Sequence, residues 1–420
     1  MTFAAFRVRS FRFQWPADLL TSLSFEMETL ILGWFVMVHT GSVLLLTAFG
    51  SLQFLGTLAA PMFGVLGDRV GVRTMLCAMR AIYATLAATL MTLAFADAMT
   101  PIAVLTIASL AGIVRPNDLV MRNAIIGETI PPEHAMNALS MSRASMDSAR
   151  MAGALTGAGL LTLLGNGLAY TAVTLFYLAS LALTFGIARG RPAPDPTTGH
   201  GAVPAIAATR PSRYRDLVDG LRYVATTPVL LAVMLVAFLV NLGAYPVTGG
   251  LLPYVANQVY AVGAAGLGWL VAAFAGGALV GSIAMVVTGG PRRPERAMLV
   301  NVVLWFVLLA VFAHMQSFAA GIAVLFVAGF VQSIAMISLM AAILAVTEPR
   351  FRARVMGARM LAVYGLPLGL MGAGVLISRI GYASTVSILC AIGLAFTVLI
   401  GVLWRASVWK PSELPAPSLR

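Results

Sequence analysis

Long apolar runs alternate along the chain with short segments that hold most of its charged residues. A bilayer core about 30 Å thick requires roughly 20 apolar residues in helical conformation. Twelve runs meet this requirement, so each is predicted to be a membrane-spanning helix. The predicted spans are residues 16–38, 43–66, 74–96, 100–121, 136–164, 168–188, 228–252, 264–288, 297–314, 317–346, 355–378 and 383–404.

The arginines between the runs predict how the helices are oriented. Lys and Arg in short loops favour the cytoplasmic side, and in this chain they recur in every second loop, with Arg379 as the exception. Both termini are therefore expected to be cytoplasmic. The arginines that mark the cytoplasmic side are Arg7, Arg9, Arg12, Arg69, Arg73, Arg122, Arg189, Arg191, Arg210, Arg213, Arg215, Arg292, Arg293, Arg296, Arg350, Arg352 and Arg354.

A proline-rich segment over residues 189–212 has the composition of a linker and divides the predicted spans six and six. After it, Tyr214, Leu217 and Leu221 share one face of a helix whose other face is charged. This pattern indicates an amphipathic helix at the inner membrane surface, or a helix that merely leads into the seventh span. The predicted organisation is an amino-terminal six-helix bundle over 1–188, a cytoplasmic linker over 189–227, a carboxyl-terminal six-helix bundle over 228–405 and a cytoplasmic tail over 406–420.

Composition excludes an ordinary soluble domain. Hydrophobic residues make up 60% of the 420 positions and charged residues 10%, against roughly 25% charged in soluble proteins. The net charge of +12 comes from clustered arginines, a distribution that fits a cytoplasmic membrane face better than nucleic acid. Cys77 and Cys390 both lie in apolar runs, so no disulfide framework, metal site or cofactor is expected.

The loop after the second span carries a specific motif, from Gly64 through Asp68, Arg69 and Gly71 to Arg73. The glycines permit close packing and a tight turn, the aspartate can accept hydrogen bonds at a helix end, and the arginines favour the anionic inner leaflet. The motif resembles the G-x-L-x-D-R-x-G-x-R signature of the major facilitator superfamily. The resemblance implies an all-α membrane protein with twelve transmembrane helices in two pseudo-symmetric six-helix bundles, and it implies a gating role for Asp68. The alternative is a positive loop that only fixes topology.

A glycine element on the fifth span includes Gly153, Gly157 and Gly159. It resembles the G-P-x-x-G-G element of exporters that exchange substrate for protons, with Ala154 at the proline position, and small residues four apart let helices approach closely. This predicts contact between the two bundles; ordinary small-residue packing is the alternative. The sequence of residues 157–161 is echoed at 372–376, which indicates an internal repeat.

Three further stretches resemble the branch of the superfamily that contains enterobactin exporters and macrolide efflux pumps: residues 122–131, residues 219–224, and residues 251–254 followed by 266–269. The R-x-x-Q-G motif of that superfamily's fourth span is absent, although Arg115 lies in its region.

Ionisable residues within the spans mark the candidate site, because each costs roughly 2.5 to 3.5 kcal/mol near the bilayer centre. Glu26 and Glu28 lie about 200° apart around a helix, so one is expected to line a central cavity and the other to meet a neighbouring helix. Burial raises the pKa of a cavity carboxylate and an approaching cation lowers it, which predicts proton coupling. The alternative is that these charges only lock helices together.

On the fifth span, Arg143, Asp147 and Arg150 are spaced i, i+4 and i+7, which predicts an ion-pair network that Arg80, Arg115 and Asp118 could join. The carboxyl-terminal half offers neutral groups at comparable depth, together with Arg359. The residues predicted to couple protons or bind substrate are Glu26, Glu28, Asp147, Arg150, Arg115, Asn241, Gln332 and Tyr364.

Enzymatic and ATP-driven functions have no support in the sequence, because the four histidines are widely separated and no Walker-type phosphate loop occurs. The prediction is a monomeric secondary transporter of the bacterial inner membrane that works by alternating access. It exports a small amphipathic organic molecule, such as a siderophore or drug, in exchange for protons. The alternatives are a proton-coupled importer of an organic solute or siderophore, and a transport-inactive receptor or assembly factor.

Overall fold

The computed structural model describes residues 4–57, 70–188, 213–291, 293–348 and 351–405, and all regular secondary structure in these ranges is helical. Two π-helical segments, Val240–Ala244 and Val255–Val259, directly follow the helices Pro228–Leu239 and Leu252–Tyr254. The helices are α1 (Arg9–Thr40), α2 (Val43–Leu52), α3 (Val72–Phe95), α4 (Pro101–Thr129), α5 (Pro132–Thr184), α6 (Arg213–Thr226), α7 (Pro228–Leu239), α8 (Tyr245–Gly249), α9 (Leu252–Tyr254), α10 (Gly263–Thr288), α11 (Pro294–Ala313), α12 (Phe318–Val346), α13 (Arg352–Ala362), α14 (Gly365–Ile380) and α15 (Tyr382–Leu403).

The described ranges contain ten helical segments long and apolar enough to cross a membrane. The predicted second span begins at Val43 as a shorter apolar helix, and its remainder to residue 66 lies partly outside the described residues. The predicted fifth and sixth spans both belong to α5, in which Gly165 has non-helical dihedral angles (φ 74°, ψ −178°). This glycine separates a first arm, residues 132–164, from a second arm, residues 166–184. The structure thus confirms an all-helical membrane protein with about ten to twelve apolar helices; the number twelve and the six-plus-six division stay predictions.

Two helices extend further than the hydropathy pattern predicts. Helix α1 begins at Arg9 rather than at residue 16, and α4 continues to Thr129 rather than ending at 121. The assignment of Arg122 to a cytoplasmic loop was therefore wrong. Arg122 lies within α4, only 4% exposed, because carboxylates on α1 and α4 compensate its charge there.

Each half of the chain has its own apolar core. In residues 4–188, α1 and α3 pack against α5 around side chains such as Ile31, Leu76 and Tyr170. In residues 213–405, α12 packs against α10 and α11, and α11 packs against α15, around Trp305 and Phe306. The proline-rich part of the predicted cytoplasmic linker, residues 189–212, and the tail predicted over 406–420 lie outside the described residues.

The two halves touch along two helix pairs, α5 with α10 and α2 with α14. Small residues permit both contacts. A Cβ atom built on Gly268 of α10 would lie 2.4 Å from the Cβ of Ala158 on α5, and one built on Gly374 of α14 would lie 2.2 Å from the hydroxyl oxygen of Thr47 on α2. A third contact joins Gly33 of α1 to Pro253.

The predicted amphipathic helix corresponds to α6, which ends just before α7 begins at Pro228. Its later turns pack against the start of α13. The rings of Tyr223 and Phe351 stack with centroids 4.2 Å apart, and Arg354 Nη1 lies 3.8 Å from Asp219 Oδ2. Helix α6 is thus attached to the carboxyl-terminal half both by the chain and by side-chain contacts.

Candidate functional site

A cavity of about 390 Å³ lies between the two halves of the chain. Its walls are mostly apolar. Phe25 and Phe54 line it from the amino-terminal half, and Leu252, Phe274 and Met336 line it from the other half. A few polar side chains interrupt the apolar surface, which is the composition typical of a small-molecule site.

Glu26 and Arg150 form an ion pair in the wall of this cavity. Glu26 lies on α1 and Arg150 on the first arm of α5, with 3.4 Å between Glu26 Oε1 and Arg150 Nε. The Glu26 side chain is 20% exposed and that of Arg150 is 45% exposed, so both can be reached from the cavity. Solvent screens an exposed pair and keeps its contribution to stability near 0 to 1 kcal/mol. The pair can therefore open and close at low cost.

Glu28 points away from the cavity into the amino-terminal half. Its carboxylate pairs with Arg115 of α4 and accepts a 3.0 Å hydrogen bond from the hydroxyl of Tyr177 on the second arm of α5. The Glu28 and Arg115 side chains are 4% and 8% exposed. Glu28 therefore belongs to a buried network that joins three helices.

The Glu28 network is adjacent to the cavity. The Arg115 guanidinium lies 3.9 Å from the ring centroid of Phe25 and donates a 3.0 Å hydrogen bond to Gln53 Oε1. Phe25 and Gln53 both line the cavity. A change at Arg115 would therefore reach the cavity through these two side chains.

Asp18 organises a second buried cluster that the sequence interpretation missed. Its carboxylate pairs with Arg80 of α3 and lies 3.6 Å from Arg122 of α4, while Arg122 also pairs with Asp118. Gln14, one turn before Asp18 on α1, donates to the Asp18 carboxylate at 3.3 Å. The sequence carried two signals for this cluster, because Asp118 and Arg122 are spaced i, i+4 and so are Gln14 and Asp18.

The ion-pair network predicted along one face of α5 is divided in the structure. Arg143 Nε lies 3.7 Å from Asp147 Oδ2, with the Arg143 side chain 69% exposed, whereas Arg150 pairs across to Glu26. Asp147 is not among the residues that line the cavity. The residues expected to join this network, Arg80, Arg115 and Asp118, lie instead in the two buried clusters.

The carboxyl-terminal wall contributes Asn241, Tyr245 and Arg359. Asn241 donates a 2.8 Å hydrogen bond to the carbonyl of Ala237. Gln332 does not line the cavity but donates a 3.0 Å hydrogen bond to the hydroxyl of Tyr245, which does. Tyr364 lies outside the lining, and its hydroxyl has no hydrogen-bond partner among the described residues. Tyr245 and Arg359, absent from the predicted site residues, are thus closer to the cavity than Gln332 and Tyr364.

The loop motif is described only in part. Gly64, Asp68 and Arg69 lie outside the described residues. Gly71 precedes α3 with φ at 90°, a conformation that glycine adopts readily. Arg73 donates a 2.5 Å hydrogen bond to the carbonyl of Phe185, which attaches the start of α3 to the end of α5.

The glycine element of α5 contacts α1 rather than the other half. Cβ atoms built on Gly153 and Gly157 would lie 2.8 Å from Glu26 Cβ and 3.0 Å from Met27 Cα, while one on Gly159 would have no neighbour within 4 Å. The contact between halves predicted for these glycines is made instead by Ala158, against Gly268. Helical periodicity explains the difference, because Gly153 and Gly157 share one face of the helix, whereas Ala158, one position after Gly157, lies roughly 100° further around it.

Comparison with known proteins identifies the fold. The profile described as Major Facilitator Superfamily matches residues 15–367. A bacterial homologue of the human lysosomal transporter Spinster, in an inward-facing and unoccupied conformation, superimposes with a TM-score of 0.69 at 15% identity, over 96% of this chain and 98% of that one.

Two further solved structures are similar. A POT family transporter in complex with a thioalcohol-conjugated peptide gives a TM-score of 0.70 at 12% identity, over 96% of this chain and 97% of its own. The human organic anion transporter MFSD10 (TETRAN) gives 0.64 at 18% identity, over 93% and 99%. No curated protein matches the sequence significantly. At these identities the likeness concerns the fold.

Proposed function

Because the chain belongs to the major facilitator superfamily, a family of generally non-enzymatic membrane carriers, we propose that it is a proton-coupled secondary transporter of a small amphipathic organic molecule. In this proposal the protein works as a monomer in the bacterial inner membrane with both termini in the cytoplasm. Twelve helices form two six-helix bundles that tilt about the cavity, which opens alternately to either side.

The observation that carries the proposal is the position of the Glu26–Arg150 ion pair. This pair lies in the wall of a largely apolar cavity between the halves. The other ion pairs described in the amino-terminal half are either buried among helices or, like Arg143–Asp147, exposed on α5. An amphipathic molecule would contact the apolar walls and the polar groups together. A proton on Glu26 would release Arg150 and so change the charge that the molecule meets.

The contacts between halves suit a rocking motion. The α5–α10 and α2–α14 contacts use small residues and few polar bonds, an exception being the 3.2 Å hydrogen bond from Ser51 to the carbonyl of Pro367. Contacts of this kind can rearrange without leaving buried charges unpaired.

Export in exchange for protons is the first candidate direction. It is supported by the resemblance of the α5 glycine element and three further stretches to exporters of siderophores and drugs. Exchange requires the substrate and the proton to compete, which a cationic substrate would do at Glu26.

Uptake together with a proton is the second candidate, and the charge of the cavity favours it. Two guanidinium groups, Arg150 and Arg359, and one carboxylate, Glu26, line the cavity. Protonation neutralises the Glu26 carboxylate and so makes the net charge of the cavity wall more positive. This would strengthen the binding of an anion, so proton and substrate would move together.

Transport assays in proteoliposomes test the proposal and separate the two directions. A panel of radiolabelled amphipathic compounds with negative, neutral or positive head groups is measured with a pH gradient of either polarity and without one. We expect accumulation of at least one compound that depends on the gradient, and the polarity that drives it distinguishes exchange from cotransport. If no compound moves faster than in protein-free liposomes, the alternative of a transport-inactive receptor or assembly factor replaces the transporter.

A further inference from the structure

We propose that the ligand of the cavity is an organic anion, whose anionic group binds Arg359 and Tyr245 and whose apolar body lies against the wall of the amino-terminal half. This inference rests on the proposed function and specifies its substrate class.

The charged side chains in the cavity wall do not balance. Glu26 compensates Arg150 at 3.4 Å, but no carboxylate lies within 4.0 Å of Arg359 among the described residues. The cavity wall therefore carries one uncompensated positive charge. A carboxylate, sulfonate or phosphate group on the ligand would pair with this guanidinium through charge-assisted hydrogen bonds.

The hydroxyl of Tyr245 is a second group that an anion can bind. Its oxygen accepts a 3.0 Å hydrogen bond from Gln332, and the Tyr245 ring meets Trp305 edge to face at 5.1 Å. These two contacts fix the ring. Because the oxygen is the acceptor towards Gln332, the hydroxyl proton is left to donate elsewhere, and no acceptor for it is found in the described part of the chain. Tyr245 and Arg359 both line the cavity from the carboxyl-terminal half. Together they present a cation and a neutral donor to one cavity.

The apolar part of the cavity wall favours an organic anion over an inorganic one. Phe25, Leu30 and Phe54 line the same cavity from the amino-terminal half. Bare sulfate or phosphate would leave these walls in contact with water, whereas an aromatic or aliphatic body would bury them at about 25 cal/mol per Å². The volume of about 390 Å³ also lies within the range of cavities that hold small organic ligands.

Binding of an anion in this cavity would depend on the protonation of Glu26. While Glu26 is ionised it compensates Arg150, so a bound anion meets one uncompensated guanidinium; once Glu26 is protonated, the anion meets two. Protonation therefore raises affinity for the anion, which selects cotransport from the two candidate directions.

The test compares three probes that share one ring system and differ in the charge of the head group: naphthaleneacetate, naphthaleneacetamide and naphthylethylammonium. Binding to the purified full-length protein in lipid nanodiscs is measured by isothermal titration calorimetry. The variants are Arg359→Gln and Arg359→Lys. The matched control is Arg352→Gln, which removes an exposed arginine from the same helix, α13.

We expect the wild-type protein to bind the anion most tightly and the cation most weakly. Arg359→Gln should weaken naphthaleneacetate by about 10- to 100-fold, as expected for the loss of a charged hydrogen bond. Its binding of naphthaleneacetamide should be unchanged, which shows that the variant is folded. Arg359→Lys should keep the preference for the anion, and Arg352→Gln should match wild type.

Two results overturn the inference in distinguishable ways. If the amide or the cation binds as tightly as the anion, or if Arg359→Gln keeps the preference, the ligand is not selected as an anion by Arg359, and transport of an amphipathic molecule still stands. If none of the three probes binds to wild-type protein, the proposed anion site is absent, and the proteoliposome panel decides separately whether the proposed function fails as well.

Discussion

Glu26 and Glu28 lie two positions apart on α1 and face different arginines in different surroundings. Glu26 meets Arg150 at the cavity, 3.4 Å away, while Glu28 pairs with Arg115 among buried side chains. A helix places positions i and i+2 about 200° apart, so the two carboxylates cannot serve one surface. The first is accessible to a ligand and protons from the cavity, and the second holds helices together.

This difference in surroundings predicts that Glu28→Gln and Glu26→Gln have different effects on the stability of the protein. Glu28→Gln leaves the buried Arg115 without its counter-charge and should destabilise the fold by about 3 to 5 kcal/mol. Glu26→Gln breaks a partly exposed pair and should cost no more than about 1 kcal/mol. Thermal unfolding in the same detergent should show that Glu28→Gln lowers the Tm of the protein much more than Glu26→Gln does. Equal losses would mean that the exposures of the two pairs do not govern their energetics.

Asp18 is predicted to be essential to the buried cluster. Asp18→Asn removes the counter-charge of Arg80, which is fully buried, while Arg122 keeps Asp118. We expect a loss of about 3 to 5 kcal/mol in the free energy of unfolding. Adding Arg80→Gln should restore part of this loss, since the unpaired charge is then gone.

The control for this cluster is Asp147→Asn, because the pair of Asp147 with Arg143 is exposed. It should change the stability by less than about 1 kcal/mol. An Asp18→Asn variant as stable as the Asp147→Asn control would show that the buried cluster contributes nothing.

The contact between α5 and α10 predicts a selective effect of one methyl group. Gly268→Ala places a Cβ 2.4 Å from that of Ala158, so the two helices must separate. Transport in proteoliposomes should fall several-fold, since the halves can no longer pack in this conformation. Gly159→Ala on α5 adds the same methyl group where nothing lies within 4 Å, and its transport should equal wild type. Identical rates for the two variants would remove this contact from the mechanism.

The hydroxyl of Tyr245 is predicted to contribute to anion binding. Tyr245→Phe should weaken naphthaleneacetate by about 3- to 10-fold, the effect of one neutral hydrogen bond. Tyr254→Phe is the matched control, because Tyr254 stacks on Tyr382 and does not line the cavity. Calorimetric affinities that are unchanged in Tyr245→Phe would remove its hydroxyl from the binding site.

The positions of most membrane-spanning helices can be predicted from the sequence, because hydropathy averaged over a whole helix is a strong signal. Runs of about 20 apolar residues mark the spans, and the structure places helices at nearly all of them. Opposite orientations of Glu26 and Glu28 follow from helix geometry alone. What the sequence could not supply was the partner of each group, since Arg150 and Arg115 lie far from these glutamates along the chain.

The surroundings of charged residues near the predicted helix ends were the hardest feature to predict from the sequence. Asp18 and Arg122 lie near the margins of the apolar runs, where a charge is ordinarily explained by the membrane interface. Helices α1 and α4 extend past those margins, and packing among helices rather than water surrounds the charges. Hydropathy alone cannot distinguish these surroundings, because it does not register neighbouring helices. The sequence indicated Arg359 only as a charged group in the carboxyl-terminal half, and Tyr245 became a candidate only when the structure showed that both residues line the cavity.

The most direct test of the central claim separates movement of the substrate from its coupling to protons. Proteoliposomes containing wild-type protein or Glu26→Gln are assayed twice with the labelled compound that the panel identifies, once for exchange at equal pH and once for accumulation driven by a pH gradient. We expect Glu26→Gln to retain exchange of the labelled compound at equal pH and to lose the accumulation that a pH gradient drives. Accumulation at the wild-type level in Glu26→Gln would contradict this expectation, because protons would then be coupled somewhere other than the Glu26–Arg150 pair.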